Sequence, residues 1–456
     1  MEQAERASFG SKLGIILATA GSAVGLGNVW RFPYMTGQNG GAAFLMVYFG
    51  CILLLGIPGM VSEFIIGRHS QANAARAYGH IAGNKLWKLV GHLGILTSTI
   101  ILGFYAVVAG WCLQYLFASL TGSLTGDADY ILRYFSTFVT HPWKPCLWAV
   151  AFIVITHLVI VRGVQKGIER ASKVLMPLLF VLLVTIVIAS CLLPGAGAGI
   201  EFLFKPDFSK VSHSVFLEAL GQAFFSLSLG TCCLCTYASY FARDTHLLRS
   251  AGEIALLDSL IAILSGLMIF PAAFSVGVQP DSGPSVVFIT LPHVFQQAFG
   301  AMPAVGYVIG IMFYALLVFA ALTSTISMHE IGTAFFTEEL KIERSKGAWI
   351  LTAICSVIAV LCAMSMGQSS WASMLQPFGL SLLDCCDFIT AQVMLPAGAF
   401  LTSLFIGWFV SKPTVRDEFT NHSTIYTSLF PAYLFAVRYV VPFCILLIFL
   451  HQFGVI

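Results

Sequence analysis

The chain has 456 residues, of which 58% are hydrophobic and only 10% are charged, and its mean hydropathy is +0.88. Soluble domains carry about 25% charged residues, so this composition excludes a soluble protein and indicates an all-α polytopic membrane protein that folds as one unit, 1–456. The basic residues behind the net charge of +2 are scattered, which argues against a nucleic-acid-binding stripe.

The first apolar run, 13–34, contains Gly21, Gly25 and Gly27. Each glycine costs about 1 kcal/mol against alanine inside a helix, so we expect this helix to break near its middle. Backbone N–H and C=O groups freed at that depth can hold ions or a polar ligand. A glycine surface for tight helix packing is an equally good reading of this run alone. The preceding residues, 1–6, lack the features of a signal peptide, so this helix is expected to be retained.

Apolar runs of membrane-spanning length predict eleven helices. They cover 13–34, 41–67, 88–122, 145–161, 173–193, 214–241, 251–278, 303–336, 347–366, 376–411 and 427–453. Most lysines and arginines then fall on one side of the membrane, and the other side keeps only Arg133, Lys144, Lys205 and Lys210. The positive-inside rule therefore predicts a cytoplasmic N-terminus and an external C-terminus.

The chain contains twelve cysteines, most of them inside apolar runs. Free thiols in such runs behave as small hydrophobic groups, so no metal site is expected from them. Cys146 and Cys191 lie near the predicted outer ends of the fourth and fifth helices. Their spacing leaves a disulfide between them open.

A second interruption is predicted in the sixth helix, at 224–231, where a glycine is mixed with hydroxyl side chains that compete for backbone hydrogen bonds. Each five-helix half, 1–200 and 211–411, thus opens with an interrupted helix, and 412–456 adds the last one. Since five is odd, the halves would insert in opposite orientations. Paired interruptions of this kind are typical of secondary transporters with a site at mid-membrane.

Several charged residues fall within the predicted spans, where ionisable groups are functional by default. Glu63 could accept N–H groups that a helix break sets free. Asp258 lies in the seventh helix, and Arg31 lies at the outer end of the first. Asp384 and Asp387 lie near the start of the tenth, where a solvated helix end is a plausible alternative, above all for Asp384.

The first helix carries a specific motif. The stretches 21–34 (GSAVGLGNVWRFPY) and 38–41 (QNGG), with 163–170, 222–230 and Ala320-Ala321-Leu322-Thr323-Ser324, resemble the neurotransmitter:sodium symporters, in particular their bacterial amino-acid branch. The similarity extends from Arg6 to the end of the eleventh helix. It implies a 5+5 inverted repeat in which helices 1 and 6 unwind at mid-membrane.

The resemblance implies two sodium sites built from oxygen ligands. The first would use Ala23, Asn28, Ser226, Asp258 and the substrate carboxylate. The second would use carbonyls of Gly21, Val24 and Ala320 with the hydroxyls of Thr323 and Ser324. Oxygen ligands suit a hard cation. Without the motif, interhelical hydrogen bonding would be the better interpretation of Thr323 and Ser324.

The resemblance also implies a substrate site and two gates. The residues expected around an amino acid are Ala23, Gly25, Leu26, Gly27, Ile101, Tyr105, Phe225, Ser226, Ser228, Thr231, Ser324 and Met328. Phe225 and Tyr105 would form the thin outer gate, beneath a salt bridge between Arg31 and Asp387. Arg6, Phe9, Tyr240 and Glu338 would close the cytoplasmic side.

The chain departs from the family pattern at three points. Asp258 stands where many members have asparagine and Ala262 where chloride-dependent members have serine, so we expect transport without chloride. Thr231-Cys232 replaces a bulky residue and a glycine, which favours medium to large neutral substrates such as leucine, isoleucine or methionine. The chain ends after the eleventh helix, whereas many relatives have twelve, and this bears on oligomeric contacts and leaves the oligomeric state open.

These observations predict a sodium-coupled amino-acid symporter in a bacterial inner membrane. No HExxH motif, phosphate-binding loop or plausible catalytic triad occurs in the sequence, so an enzyme is not expected. A sensor or a channel on the same scaffold is the alternative. The number of sodium ions, proton counter-transport and the choice among neutral amino acids stay open.

Overall fold

The computed structural model describes residues 8–210, 212–277, 287–367, 370–424 and 428–452. Within these ranges every regular element is a helix and no strand occurs, which confirms the all-α prediction. Arg6 and the proline-rich loop residues 280–284 lie outside the described residues.

The helices follow one another with short connections. In chain order they are α1 Lys12–Ala23, α2 Gly27–Gln38, α3 Ala42–Ser70, α4 Ala74–Ala82, α5 Lys85–Leu120, α6 Ala128–Val139, α7 Lys144–Ile160, α8 Val164–Cys191, α9 Ala196–Phe204, α10 His213–Ser226, α11 Cys233–Ala238, α12 Leu247–Ser275, α13 Thr290–Ala298, α14 Pro303–Glu338, α15 Arg344–Ser365, α16 Leu382–Phe409, α17 Lys412–Phe419 and α18 Phe430–Gln452.

Eight of these helices are long and apolar enough to cross a membrane. Two bent pairs raise the number to ten, α1 with α2 at 53° and α6 with α7 at 75°. The predicted sixth span is divided into α10 and α11, so the count of eleven stays a prediction. The predicted fifth span, 173–193, is corrected at its start: α8 begins at Val164, because Gly163 turns the chain at a φ of 84° and a wide helical turn follows directly.

The centre of the fold surrounds the first helix. The long helices α5 and α14 pack against each other, and α7 and α15 pack beside them. Helix α1 itself contacts α14, α8 and α12. The break between α1 and α2 is therefore enclosed by protein, which is the condition under which irregular backbone is tolerated at membrane depth.

All twelve cysteines are free, so the possible bridge between Cys146 and Cys191 is not formed. The Cys146 thiol donates to the carbonyl of Pro142 at 3.5 Å, and the Cys191 thiol donates to the carbonyl of Leu267 at 3.9 Å. Each thiol thus has its own backbone partner on a different part of the bundle.

A buried ion pair ties α3 to α17. Arg68 Nε donates to Glu418 Oε2 at 2.7 Å, and Arg68 Nη1 donates to the carbonyl of Thr245. His69 Nδ1 lies 3.1 Å from Glu418 Oε1. The Arg68 guanidinium therefore joins α3 to α17 and to the segment that contains Thr245, and its partner Glu418 is only 4% exposed.

We expect Glu418→Gln to lower the stability by about 1.5–3 kcal/mol near neutral pH, the range for hydrogen bonds to charged groups. Burial opposes ionisation of Glu418, but hydrogen bonds from His69 and Arg68 outweigh it and lower the pKa of this carboxyl. Because the pKa is lower in the folded state than in the unfolded state, the ionised carboxylate stabilises the fold at pH values above the unfolded pKa of about 4.3. This stabilisation is lost as the pH falls through the pKa of the folded state.

Melting temperatures in detergent at neutral and acidic pH check this prediction. The wild type should lose more stability on acidification than Glu418→Gln. Glu201→Gln is the control, because Glu201 pairs with Lys205 on the surface with 61% of its side chain exposed. A variant of Glu418 that melts like the Glu201 variant at every pH would contradict the role of the buried pair.

Candidate functional site

The predicted interruption of the first helix is present. Helix α1 ends at Ala23, Val24 leaves helical geometry with a ψ of 102°, and α2 begins at Gly27. A Cβ atom on Gly25 would collide with the Ser324 hydroxyl, so only glycine lets α14 approach the break this closely. The break therefore follows from local sequence and from tight packing together.

Two amides that the break sets free find side-chain partners. The Leu26 amide donates to the hydroxyl of Tyr105 at 3.2 Å. The Gly25 amide donates to Asn28 Oδ1 at 3.3 Å. Both partners are hydrogen-bonding groups that a bound carboxylate or cation could also engage.

The predicted interruption of the sixth helix is also present, between Ser226 and Cys233. Ser228, Gly230 and Cys232 all have positive φ values, 54°, 83° and 59°. Left-handed backbone disfavours side chains, and at Gly230 a Cβ would also strike the carbonyl of Leu395. The Ser228 hydroxyl donates to the carbonyl of Ser22 at 3.1 Å, which joins the two breaks.

Glu63 satisfies the amides that the second break exposes. It is 1% exposed, and its two carboxylate oxygens accept from the amides of Gly230 at 2.8 Å and Cys235 at 3.2 Å. A carboxylate aimed at the start of a helix also benefits from the helix dipole. The structure thereby confirms the expectation that Glu63 accepts freed N–H groups.

A second buried carboxylate lies next to both breaks. Asp258 accepts from Asn28 Nδ2 at 2.7 Å and from the Ser226 hydroxyl at 2.9 Å and 3.0 Å to its two oxygens. The hydroxyl of Tyr48 donates to Asp258 Oδ2 at 3.3 Å. Three residues predicted for the first sodium site are thus in direct contact, and Ala23 lines the adjoining cavity.

A second set of oxygen atoms lies between α1 and α14. The Thr323 hydroxyl is 2.9 Å from the carbonyl of Ala320 and 3.2 Å from that of Val24. Gly21 faces Thr323, since a Cβ on Gly21 would lie 3.3 Å from the Thr323 Cβ. Four of the five residues predicted for the second sodium site converge here, and the hydroxyl of the fifth, Ser324, faces Gly25.

A cavity of about 60 Å³ lies between the two breaks. All residues predicted around the substrate line it except Leu26, which lines the neighbouring outer cavity. Four lining residues were missed by the sequence analysis, namely Ser22, Cys233, Ser327 and Leu395. Ser22 and Cys233 adjoin the breaks, and Ser327 lies one turn from Ser324, so these three could have been predicted from their positions in the sequence. Nothing in the sequence indicates that Leu395 lines the cavity.

A larger cavity of about 370 Å³ adjoins the site on the side that the predicted topology places outside the cell. Gly27, Tyr105 and Phe225 line both cavities and therefore form the partition between them. The predicted salt bridge between Arg31 and Asp387 is not formed, although both line this outer cavity. The Arg31 guanidinium instead lies 4.5 Å from the centroid of the Phe225 ring.

The end of the bundle that the predicted topology places in the cytoplasm is closed by aromatic packing and a buried ion pair. Phe9 packs edge-on against Tyr240 at 6.2 Å between ring centroids. The Tyr240 hydroxyl donates to Glu330 at 2.8 Å, and Arg344 binds both oxygens of Glu330 at 3.0 Å and 2.5 Å. Glu338, predicted for this gate, accepts from the Asn73 amide at 2.9 Å. The sequence analysis did not predict Glu330 and Arg344 at this position, although a glutamate inside a predicted span indicates a buried partner.

Comparisons with known proteins identify similar chains. The model of the sodium:neurotransmitter symporter family matches residues 6–131 and 135–455. A sodium-dependent transporter of Bacillus subtilis (strain 168), YhdH, is 38% identical over the whole of both chains, and one of Haemophilus influenzae is 33% identical over 98% of each. The crystal structure of MhsT in complex with L-phenylalanine is 41% identical, covers 98% of this chain and 99% of its own, and has a TM-score of 0.87.

Proposed function

The chain belongs to the sodium:neurotransmitter symporter family, a family of sodium-dependent transporters and not of enzymes, and on this premise we propose that it imports a neutral, hydrophobic L-amino acid together with two sodium ions. The observation that carries the proposal is the cavity between the two helix breaks. It brings freed backbone groups, two oxygen clusters and an apolar wall together in the middle of a membrane protein.

The cavity supports recognition of a zwitterion mainly by backbone. The substrate carboxylate meets the amides of Leu26 and Gly27 and the hydroxyl of Tyr105, which already accepts from Leu26. Its ammonium meets carbonyls of Ala23, Phe225 and Ser226 and the hydroxyl of Ser228. Selectivity for the side chain then falls to the far wall, which is formed by Ile101, Phe225, Ser228, Thr231, Ser324 and Met328.

The size of the preferred side chain follows from that wall. Thr231 is a small residue in this wall, and it leaves room for the side chain of leucine, isoleucine or methionine. The crystal structure of MhsT contains L-phenylalanine, and this supports a site for large hydrophobic side chains. One methylene in an apolar pocket changes affinity by only about 1–3 kcal/mol, so several neutral amino acids are expected to compete.

Sodium is cargo in this proposal and binds at both oxygen clusters. The first ion lies at Ala23, Asn28, Ser226 and Asp258, and the second lies at Gly21, Val24, Ala320, Thr323 and Ser324. Two ions and a zwitterion bring a charge of about +2 into a poorly solvated site. The buried carboxylate of Asp258 offsets part of it, and Ala262 offers no hydroxyl, so transport proceeds without chloride.

Alternating access follows from how the two breaks are held. Helices α1, α2, α10 and α11 move relative to α5 and α14, with the partition of Phe225 and Tyr105 closing the outer side and Arg31 meeting Asp387 above it. Phe9, Tyr240, Arg6 and Glu338 close the inner side. The segments 1–200 and 211–411 act as inverted halves, with the N-terminus in the cytoplasm of a bacterial cell and the C-terminus outside.

Uptake into proteoliposomes tests the proposal. Labelled leucine or phenylalanine should accumulate above its external concentration when sodium is directed inward, and unlabelled neutral amino acids should compete. Replacing external chloride by gluconate should leave the rate unchanged. If the amino acid binds but does not accumulate, the alternative of a sensor on the same scaffold is favoured. If it enters the vesicles only until the two concentrations are equal, a channel is favoured.

We expect Thr231→Leu to shift the substrate preference towards smaller side chains. Thr231 is 5% exposed at the cavity wall, and leucine adds volume where a large substrate side chain would lie. Competition by leucine should weaken about 10–200-fold relative to competition by alanine, the range for misfit in an apolar pocket.

Thr231→Val is the matched control for this experiment. The Thr231 hydroxyl accepts from the Cys233 amide at 3.1 Å, so replacement by leucine also removes a helix cap. Valine removes the cap without adding volume. Equal changes in preference for the leucine and valine variants would show that pocket volume does not decide the preference.

A further inference from the structure

A cavity of about 280 Å³ lies at the bend between α6 and α7, beside α5 and apart from the transport site. Its polar lining consists of Gln114, Tyr130, Arg133, Tyr134, Thr137 and Lys144. Arg133 and Lys144 are two of only four basic residues predicted on the outer side. The positive-inside rule makes basic residues rare there, so two that share one cavity call for a physical reason.

The cavity carries uncompensated positive charge. Arg133 Nε donates to the carbonyl of Asp129 at 3.3 Å, which leaves its terminal amino groups available. Within the described ranges, Lys144 forms no ion pair with a carboxylate. Lys144 is also the first residue of a 17-residue helix, whose N-terminal end adds positive potential. No carboxylate is among the described residues that line the cavity, and the Asp127 carboxylate at the start of α6 caps that helix by accepting from the Tyr130 amide at 2.8 Å.

Neutral donors complete the lining. Gln114 Nε2 donates to the Tyr134 hydroxyl at 2.8 Å, which leaves the hydroxyl hydrogen of Tyr134 free to donate to a ligand. Thr137 presents a second hydroxyl to the cavity. Guanidinium, ammonium and hydroxyl donors around one space are the groups that bind a phosphate.

Exposed apolar side chains lie within one helical turn of residues that line the cavity, since Phe117 follows Gln114 in α5 and Leu147 follows Lys144 in α7. Trp143 is 64% exposed, Leu147 is 68% exposed and Phe117 is 53% exposed. Phe117 packs against Trp148 with ring centroids 5.9 Å apart. Exposed tryptophans next to basic residues mark the level of lipid headgroups, and apolar side chains one turn deeper contact acyl chains.

We propose that this cavity binds the phosphate of an anionic phospholipid, with Arg133 and Lys144 as the charged ligands and the acyl chains lying over Phe117 and Leu147. The bend between α6 and α7 opens at the membrane surface, where a headgroup can enter. None of the described residues that line this cavity lines the transport site or the larger cavity next to it, so the proposal stands apart from the proposed function.

Native mass spectrometry of the full-length protein tests the proposal, with phosphatidylglycerol and phosphatidylcholine of identical acyl chains as probes. The wild type should retain phosphatidylglycerol preferentially. The double variant Arg133→Gln/Lys144→Gln should bind it about 30-fold more weakly, because each basic side chain at the level of the headgroups contributes about a fivefold gain in affinity for an anionic lipid. Lys205→Gln/Lys210→Gln removes the same charge from another outer loop and should leave binding unchanged.

Each other result would overturn the proposal. Equal binding by the double variant and the wild type would exclude the two basic ligands. Displacement of phosphatidylglycerol by millimolar inorganic phosphate would indicate a site for a free anion. If the double variant does not fold, Lys144→Gln alone carries the test, because its exposed side chain tolerates substitution, and about fivefold weaker binding is expected.

Discussion

Asp258→Asn should make uptake depend strongly on chloride. Asp258 is fully buried, and its carboxylate accepts hydrogen bonds from Asn28, Ser226 and Tyr48 beside the proposed first sodium site. Removing one charged partner from a buried cluster costs about 3–5 kcal/mol, which corresponds to roughly a hundredfold to several thousandfold loss of sodium affinity. A chloride ion could restore the missing negative charge, whereas gluconate is too large to do so.

The measurement is the sodium dependence of amino-acid uptake into proteoliposomes, in chloride and in gluconate. The variant should need far more sodium in gluconate and recover part of its affinity in chloride. A second variant, Asp258→Asn with Ala262→Ser, supplies the hydroxyl that chloride-dependent relatives have and should recover further. Glu253→Gln lies in the same helix, away from the cavities, and serves as the control. A wild type that stops without chloride would contradict the prediction.

The two helix breaks could be predicted because their causes are local. Glycines at 21, 25 and 27 weaken the first helix, and hydroxyls with a glycine weaken the sixth, so periodicity and composition alone locate both interruptions. The positions where α1 ends and where α11 begins are set by close packing. Gly25 faces Ser324 and Gly230 faces the carbonyl of Leu395, and no pattern within one helix contains these contacts.

The residues around the site were harder to predict where they come from distant helices. Tyr48 reaches Asp258 from α3, and Arg344 reaches Glu330 from α15. An apolar run predicts that a helix crosses the membrane, but it does not predict which face meets which neighbour. The resemblance to a family identifies only residues that belong to its motifs. Tyr48 and Arg344 lie outside the stretches that carry the resemblance, so neither was predicted.

The outer gate shows a different limit. Arg31 and Asp387 have opposite charges and lie at the same end of the bundle, so a salt bridge between them was a reasonable prediction. Whether they meet depends on the distance between α2 and α16, which differs between the states of a transporter. One sequence encodes all of these states, and the structure contains one of them, with Arg31 over Phe225.

Glu63→Gln should destabilise the protein and abolish transport. The carboxylate of Glu63 accepts one amide within the second break and one in the first turn of α11, and a glutamine would place an NH₂ group against one of those donors. A buried donor left without a partner costs about 1–3 kcal/mol, and loss of the charge near the start of α11 adds to it.

Melting temperature in detergent and sodium-dependent uptake measure the two effects. Glu63→Asp keeps the charge but shortens the side chain, so it should retain one of the two hydrogen bonds and lie between the wild type and Glu63→Gln in both measurements. Ser62→Ala, at the neighbouring position, removes a hydroxyl bonded to Tyr433 and should leave uptake intact. If Glu63→Gln transported like the wild type, the unwound segment of the sixth helix would not need an ionised partner, because water or the substrate would satisfy its amides instead.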